Sequence, residues 1–320
     1  MPALRRLDAH CVKGRQQTSL EHTSVRGRGT FYTAYMRFVT FEYGGKIAPG
    51  LMAPDETVID LSAAGFSTLL DLIEAGNDGR AKAEAFAAGA KAENKRALST
   101  VKLLAPIPRP RKLICVGLNY RDHAVETGSA IPDVPTIFNK FATAVIGPGA
   151  DIVLPKVSKS PDYEAEFAFV VGRGGRHIAA DDWQDHIWGY TIINDVSARD
   201  YQRATTQWLM GKTFDTFAPM GPWIVTADEI PDPHNVNIQL EIDGETLQDS
   251  NTRELIFKIP ALIAFLSSVF TLEPGDIVST GTPAGVGVAR KPQRFLRPGE
   301  EVIVKVQGIG ELSNPVVAEG

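Results

Sequence analysis

The sequence predicts an α+β fold, a mixed β-sandwich or β-roll preceded by a small N-terminal α+β domain, and three observations predict it. Beyond Pro110 the chain breaks into many short runs rich in Val, Ile and Phe, separated by Gly, Pro and Asp, the pattern of numerous strands joined by turns. One long helical period interrupts them, Pro260 to Phe270, where Leu262, Ile263, Leu266 and Phe270 share a face and proline stands at the start. So few helices among so many strands argue against a doubly wound sheet. The third observation is the run Ala105-Pro106-Ile107-Pro108-Arg109-Pro110, which lacks backbone donors, holds an extended path and reads as a linker.

Taken in order, residues 1–35 carry six Arg or Lys against two acids and no sustained apolar period. They are expected to be a poorly ordered extension rather than a targeting signal, and contain no secretory h-region. Met36 to Phe41 begins an alternating strand, followed by a turn at Tyr43-Gly44-Gly45-Lys46, a second strand, and a third at Val58 to Leu61. A helix is expected near Ser67 to Ala75 and an Ala-rich helix from about Arg80 to Leu98, completing a domain of residues 36–105. In the domain of residues 111–320, strands are expected at Leu113 to Val116, Ile152 to Leu154, Phe167 to Val171, Gly189 to Asn194, Trp223 to Val225, Val236 to Ile242, Asp276 to Ser279 and Val302 to Val306. The glycine clusters Gly172 to Gly175 and Gly281 to Gly287 lack the strand and helix context of a dinucleotide site and read as turns.

With 320 residues, 43% of them hydrophobic, the chain can bury a large core or a large core and a satellite. A net charge of −5 and a pI near 5.7 argue against a general nucleic-acid surface, and no apolar stretch approaches the ~18 residues of a membrane span. Cys11 and Cys115 are the two cysteines. Cys115 falls in a strand-like run, so no disulfide framework is indicated and a reducing, cytoplasmic setting is expected.

Chemistry concentrates between Pro161 and Asp200. Glu164 and Glu166 stand two apart at the head of Phe167-Ala168-Phe169-Val170-Val171. In a strand both therefore point the same way, roughly 6–7 Å apart. A second strand from Gly189 delivers Asp195. Three acids beside apolar strands would repel and lose hydration unless a cation neutralised them. Oxygen-only ligation would then favour magnesium, manganese or calcium. The alternative is a pair of glutamates on the solvent face of an alternating strand. Further upstream, His123 and Glu126 lie three apart in Gly117-Leu118-Asn119-Tyr120-Arg121-Asp122-His123-Ala124-Val125-Glu126. One helical turn would let the carboxylate orient the imidazole as a general base, although such a pair also suits an ordinary surface helix. Lys212, in Gly211-Lys212-Thr213-Phe214-Asp215, could serve an anionic substrate or pair with Asp215 in a surface loop.

The segments YEAEFAFVVG and GYTIINDVSARD resemble the metal-binding core of the fumarylacetoacetate hydrolase family. The likeness runs from about Arg111 to Val317. It implies that Glu164, Glu166 and Asp195 hold one divalent cation, Mg²⁺ or Mn²⁺ with Ca²⁺ as an alternative. The segment around His123 resembles the family's lid, whose His–Glu pair activates water, and Gly117 and Gly128 bracket it. Gln202 matches a polar contact to the reacting group, Lys212 matches a lysine that sits beside the metal, and Thr282, in Thr280-Gly281-Thr282-Pro283-Ala284-Gly285, matches a substrate contact. Tyr120 and Lys140 are further candidates for substrate binding. Val116 stands where longer eukaryotic members have a fourth, aspartate ligand, so the three-ligand bacterial-type subgroup is the better match.

The resemblance implies a metal-dependent hydrolase that cleaves a C–C bond in a 2,4-dioxo acid such as an acylpyruvate, through water activated by His123 and Glu126. Isomerisation or tautomerisation, and decarboxylation of related dioates or oxaloacetate, are the alternatives. A noncatalytic protein that binds metal and 2-oxo acid is the rival from another class. A small-molecule 2-oxo acid substrate and a homodimer are expected by the same analogy, with no nucleic-acid or membrane partner.

Overall fold

The computed structural model describes residues 36–320; the extension expected at residues 1–35 lies outside the described residues. Strands β1 (Arg37–Tyr43) and β2 (Lys46–Met52) form a hairpin turned by Gly44 and Gly45, and β3 (Thr57–Asp60) lies along β2. Helix α1 (Leu69–Glu74) starts at a reciprocal cap. There the Thr68 hydroxyl accepts the Asp71 N–H and the Asp71 carboxylate accepts the Thr68 N–H. Helix α2 (Gly76–Ala88) closes at Gly89 instead of running to Leu98, because β4 (Lys95–Ala97) is drawn into pairing with β3. Sheet pairing there overrides the helical preference of an Ala- and Lys-rich segment. Strand β5 (Lys102–Leu104) pairs with β1, and the proline-rich run that follows buries Ala105 and Ile107 while the Pro106 carbonyl accepts the Thr40 hydroxyl.

Next come β6 (Leu113–Gly117), α3 (Arg121–Thr127), β7 (Thr136–Asn139), β8 (Val145–Ile146), β9 (Ile152–Leu154) and β10 (Pro161–Asp162). The central pair is β11 (Ala165–Val171) and β12 (Ile187–Asn194). After it come β13 (Ser197–Ala198), α4 (Arg199–Gln202), α5 (Leu209–Lys212) and β14 (Ala218–Thr226). The chain closes with β15 (Asn237–Ile242), β16 (Glu245–Asn251), α6 (Ile259–Val269), β17 (Ile277–Ser279), β18 (Glu301–Val306) and β19 (Gly310–Ala318). The larger sheet runs β4-β3-β2-β1-β14-β12-β11-β17-β6-β7, with β5 on β1 and β8 on β14; the smaller runs β16-β15-β18-β19-β9. The larger sheet is mixed, since β17 and β6 are parallel whereas β11 and β12 are antiparallel. The fold is thus the mixed α+β architecture expected.

All seven residues of β11 are buried. On one face Phe167 and Phe169 pack with Tyr190, Ile238, Leu240, Val302 and Val304; on the other Ala168 and Val170 pack with Phe38, Leu113 and Ile277. Burial on both faces explains why this strand reads as an unbroken apolar run while β15 and β18 alternate. No helix among the described residues is long and apolar enough to cross a membrane.

β12 and β14 approach so closely at Gly189 that a Cβ there would stand 2.2 Å from the Val225 carbonyl oxygen. Gly189→Ala should therefore lower stability by about 1–3 kcal/mol, read as an earlier urea midpoint; an unchanged midpoint would show that the strands can spread at no cost.

Candidate active site

The register of the central hairpin assembles the acids. Ala165 lies opposite Asn194 and Glu166 opposite Ile193, so the next residues beyond the ladder, Glu164 and Asp195, face each other. The Asp195 N–H donates to the Glu164 carbonyl at 2.9 Å. Oxygens of Glu164, Glu166 and Asp195 all lie within 4.8 Å of one another. The solvent-face alternative does not describe the two glutamates, which are 5% and 1% exposed.

Spacing alone left a bound cation as the evident source of neutralising charge, but the fold supplies three side-chain cations. Lys212 Nζ donates to Glu164 Oε2 at 2.6 Å and to Asp195 Oδ2 at 2.8 Å. Lys140 Nζ reaches Asp195 Oδ1 at 2.5 Å and the Val196 carbonyl at 3.0 Å. Arg199 contacts Glu164 Oε1 at 2.6 Å and Asp162 Oδ2 at 2.8 Å. Asp215, the alternative partner for Lys212, is exposed, whereas Lys212 is buried. Lys212 reaches the cluster because α5 packs directly on α4: a Cβ on Gly211 would lie 2.3 Å from the Gln202 nitrogen.

This compensation is uneven. Burial pushes the Glu164 carboxyl up, but Arg199 and then Lys212 outweigh it and hold the group at about 2. Glu166 accepts only neutral donors, the Ser279 hydroxyl at 2.5 Å and the Gly281 N–H at 3.0 Å, both on Oε2. Burial, with Asp195 and Glu164 beside it, therefore drives its carboxyl well above the usual range. Its Oε1 accepts no hydrogen bond among the described residues. Burial alone would lower the Lys212 ammonium, but Asp195 and Glu164 keep it raised and charged.

Above the acids opens a cavity of about 520 Å³, lined among others by His123, Glu164, Glu166, Gln202, Lys212 and Thr282. Asp195, Lys140 and Tyr120 do not line it: the first two lie buried around the carboxylates, and Tyr120 is buried with its hydroxyl unpartnered. His123 and Glu126 sit on α3, with Nδ1 3.1 Å from Glu126 Oε2, while Glu126 Oε1 accepts the Gly285 N–H at 2.9 Å. The imidazole is thus oriented by a carboxylate that is itself held by the Thr282–Gly285 turn. Arg199 donates to Gln202 Oε1 at 3.0 Å, and since arginine only donates, the amide nitrogen is the end left for other partners. Thr282 Oγ1 accepts from Gln248 at 2.8 Å, which leaves its own proton available.

Three residues that hold this arrangement were missed from sequence. Asp162 accepts the Gly287 and Val288 N–H groups as well as Arg199, so it ties the late glycine turn to α4. The signal was present, because acids recur at every second position in Asp162-Tyr163-Glu164-Ala165-Glu166. Arg199 was legible only as a basic residue near Asp195. Gln248, which joins Thr282 to the Ala165 N–H at 2.9 Å, carried no local signal because it comes from the other sheet.

The family model described as fumarylacetoacetate (FAA) hydrolase C-terminal matches residues 112–317. The chain belongs to the fumarylacetoacetate hydrolase family. Over 292 residues it is 45% identical to the mitochondrial oxaloacetate tautomerase fahd2 of Xenopus laevis, covering 88% of this chain and 90% of the relative. It is 41% identical over 301 residues to oxaloacetate tautomerase YisK of Bacillus subtilis, covering 88% and 100%. Among solved structures, the fumarylacetoacetate hydrolase of Exiguobacterium antarcticum superposes with TM-score 0.77 at 34% identity, covering 89% of this chain and 100% of that one. The maleylpyruvate hydrolase of Sphingobium sp. SYK-6, in complex with manganese(II) and pyruvate, gives TM-score 0.75 at 31% identity with the same coverage. Members of the family bind divalent metals, and the donor set here suits one: three clustered carboxylates, of which Glu166 has no cationic partner among the described residues.

Two substitutions should separate the charges. In EDTA, Glu166→Gln should leave the protein at least as heat-stable, since it removes a buried charge that the fold does not neutralise, whereas Lys212→Met should cost about 3–5 kcal/mol by leaving Glu164 and Asp195 undercompensated. Because Glu164 is held near 2 against an ordinary 4.5, its contribution should persist above pH 4.5 and be lost as pH falls towards 2. Glu166, shifted the other way, should add no acid sensitivity. Equal destabilisation by the two substitutions would contradict this division.

Proposed function

We propose that this protein is a divalent-cation-dependent tautomerase that interconverts the keto and enol forms of a small 2-oxo dicarboxylate of the oxaloacetate type. The observation that carries the reading is that His123, paired with Glu126, lines the same cavity as Glu164 and Glu166 of the three-carboxylate cluster. The names of relatives that match this chain over most of its length support it. Glu164, Glu166 and Asp195 would hold Mg²⁺ or Mn²⁺, which when bound supplies Lewis-acid stabilisation of enolate charge.

Keto–enol exchange needs a proton removed from C3 and one delivered to the 2-oxo oxygen. With Nδ1 engaged by Glu126, His123 Nε2 is the nitrogen free to take a proton. Lys212 uses two of its three donors on Glu164 and Asp195, so the third can steady a developing oxyanion. The Gln202 amide N–H and the Thr282 hydroxyl add donors for the substrate's oxygens.

C–C hydrolysis, the leading expectation from sequence, asks the same dyad to activate water. A maleylpyruvate hydrolase is among the similar structures, but tautomerases share more of this sequence, so proton transfer is the better supported reaction. The decay of enol-oxaloacetate, followed by its ultraviolet absorbance, should be accelerated with Mg²⁺ or Mn²⁺ and fall to the uncatalysed rate in EDTA. His123→Ala should lose about 10²–10⁴ in kcat with calorimetric cation affinity retained, and Glu126→Gln should lose less. Unaltered enol decay in His123→Ala would place the base elsewhere, and faster turnover of acylpyruvates than of oxaloacetate would return the reading to hydrolysis.

A further inference from the structure

We infer that Arg203 sets the specificity of the cavity for a dicarboxylate, its guanidinium receiving the carboxylate remote from the 2-oxo end. The inference deepens the tautomerase reading and rests on it for which end of the substrate lies at the acid cluster. Among the described residues, four side chains able to carry positive charge line the cavity: His123, Arg199, Arg203 and Lys212. Three are engaged by protein carboxylates: His123 by Glu126, Arg199 by Asp162 and Glu164, Lys212 by Glu164 and Asp195. Arg203 is different. It is exposed, and its guanidinium makes no ion pair or hydrogen bond among the described residues.

Its position follows from the backbone. The Arg203 N–H donates to the Arg199 carbonyl at 3.1 Å and its φ and ψ remain helical, so the two arginines stand one turn apart on a single face. Arg199 is anchored in the acid cluster. Arg203 is therefore displaced along the same wall by about one helical pitch, ~5.4 Å, on the order of the length of a four-carbon diacid. The residues that share its stretch of wall, Thr205 and Trp208, are uncharged, and the carboxylates lining the cavity, Glu164 and Glu166, belong to the cluster. No protein acid there competes for the guanidinium. An unengaged planar fork at that distance suits bidentate capture of a second carboxylate, which a lysine would hold only as a point charge.

The test is calorimetric titration of the Mg²⁺-loaded full chain, as wild type, Arg203→Ala and Arg203→Lys. The probes are pyruvate and 3,3-difluorooxaloacetate, which keeps both carboxylates but has no C3 proton to lose. Arg203→Ala should weaken the dicarboxylate by roughly ten- to hundredfold and leave pyruvate within about twofold, with Arg203→Lys in between. Equal losses for both probes, or none for either, would overturn the assignment even if tautomerase activity stands. If oxaloacetate is not tautomerised yet the selective loss appears, the activity is refuted and Arg203 keeps its role. A wild type that binds neither probe refutes both.

Discussion

Asp162, Glu164 and Asp195 can be buried together because Lys140, Lys212 and Arg199 are buried among them. Each ion taken from water loses several kcal/mol of hydration, and only close, well-bonded opposite charge restores it. The partners come from separate parts of the chain: Lys140 just beyond β7, Arg199 from α4, Lys212 from the end of α5. The network therefore fixes how these segments pack on the central β11–β12 hairpin.

The same network shapes the cavity's chemistry through its asymmetry. Glu164 and Asp195 each face protein cations, whereas Glu166 faces a hydroxyl and a backbone amide. Negative charge is thus left over at one carboxylate, which is where a hard cation gains most. Arg199, while neutralising Glu164, also turns the Gln202 amide so that its donor end is free. Asp162 anchors Arg199 and the turn at Gly287, and the nearby Gly285 amide steadies Glu126 behind His123. The carboxylate cluster, the His123–Glu126 pair and the Gln202 amide are linked by hydrogen bonds within one connected unit.

Proton transfer and water activation draw on the same dyad, so this arrangement is compatible with several reactions of 2-oxo acids. What would distinguish substrates is the far end of the cavity, where charge on the wall meets charge on the ligand. Arg203, without a carboxylate partner among the described residues, would favour a second carboxylate by direct pairing, and neutral walls would favour acyl groups instead.

The sequence by itself determined the α+β class, the apolar strand at Phe167 to Val171, the helix near Pro260 with proline at its start, and the three carboxylates with the His123–Glu126 pair. Each is a local pattern: an apolar run, a proline at a helix start, an acid at every second residue, an i,i+3 spacing on one turn. Tertiary structure decided what those groups face. Burial of three compensating cations, the service of Asp162 and Gln248, and the end of α2 at Ala88 all depend on contacts between residues far apart in the chain. Periodicity carries no information about such contacts, because opposite charges find each other through the register of the sheet and the packing of α4 on α5, and neither is written in any single stretch.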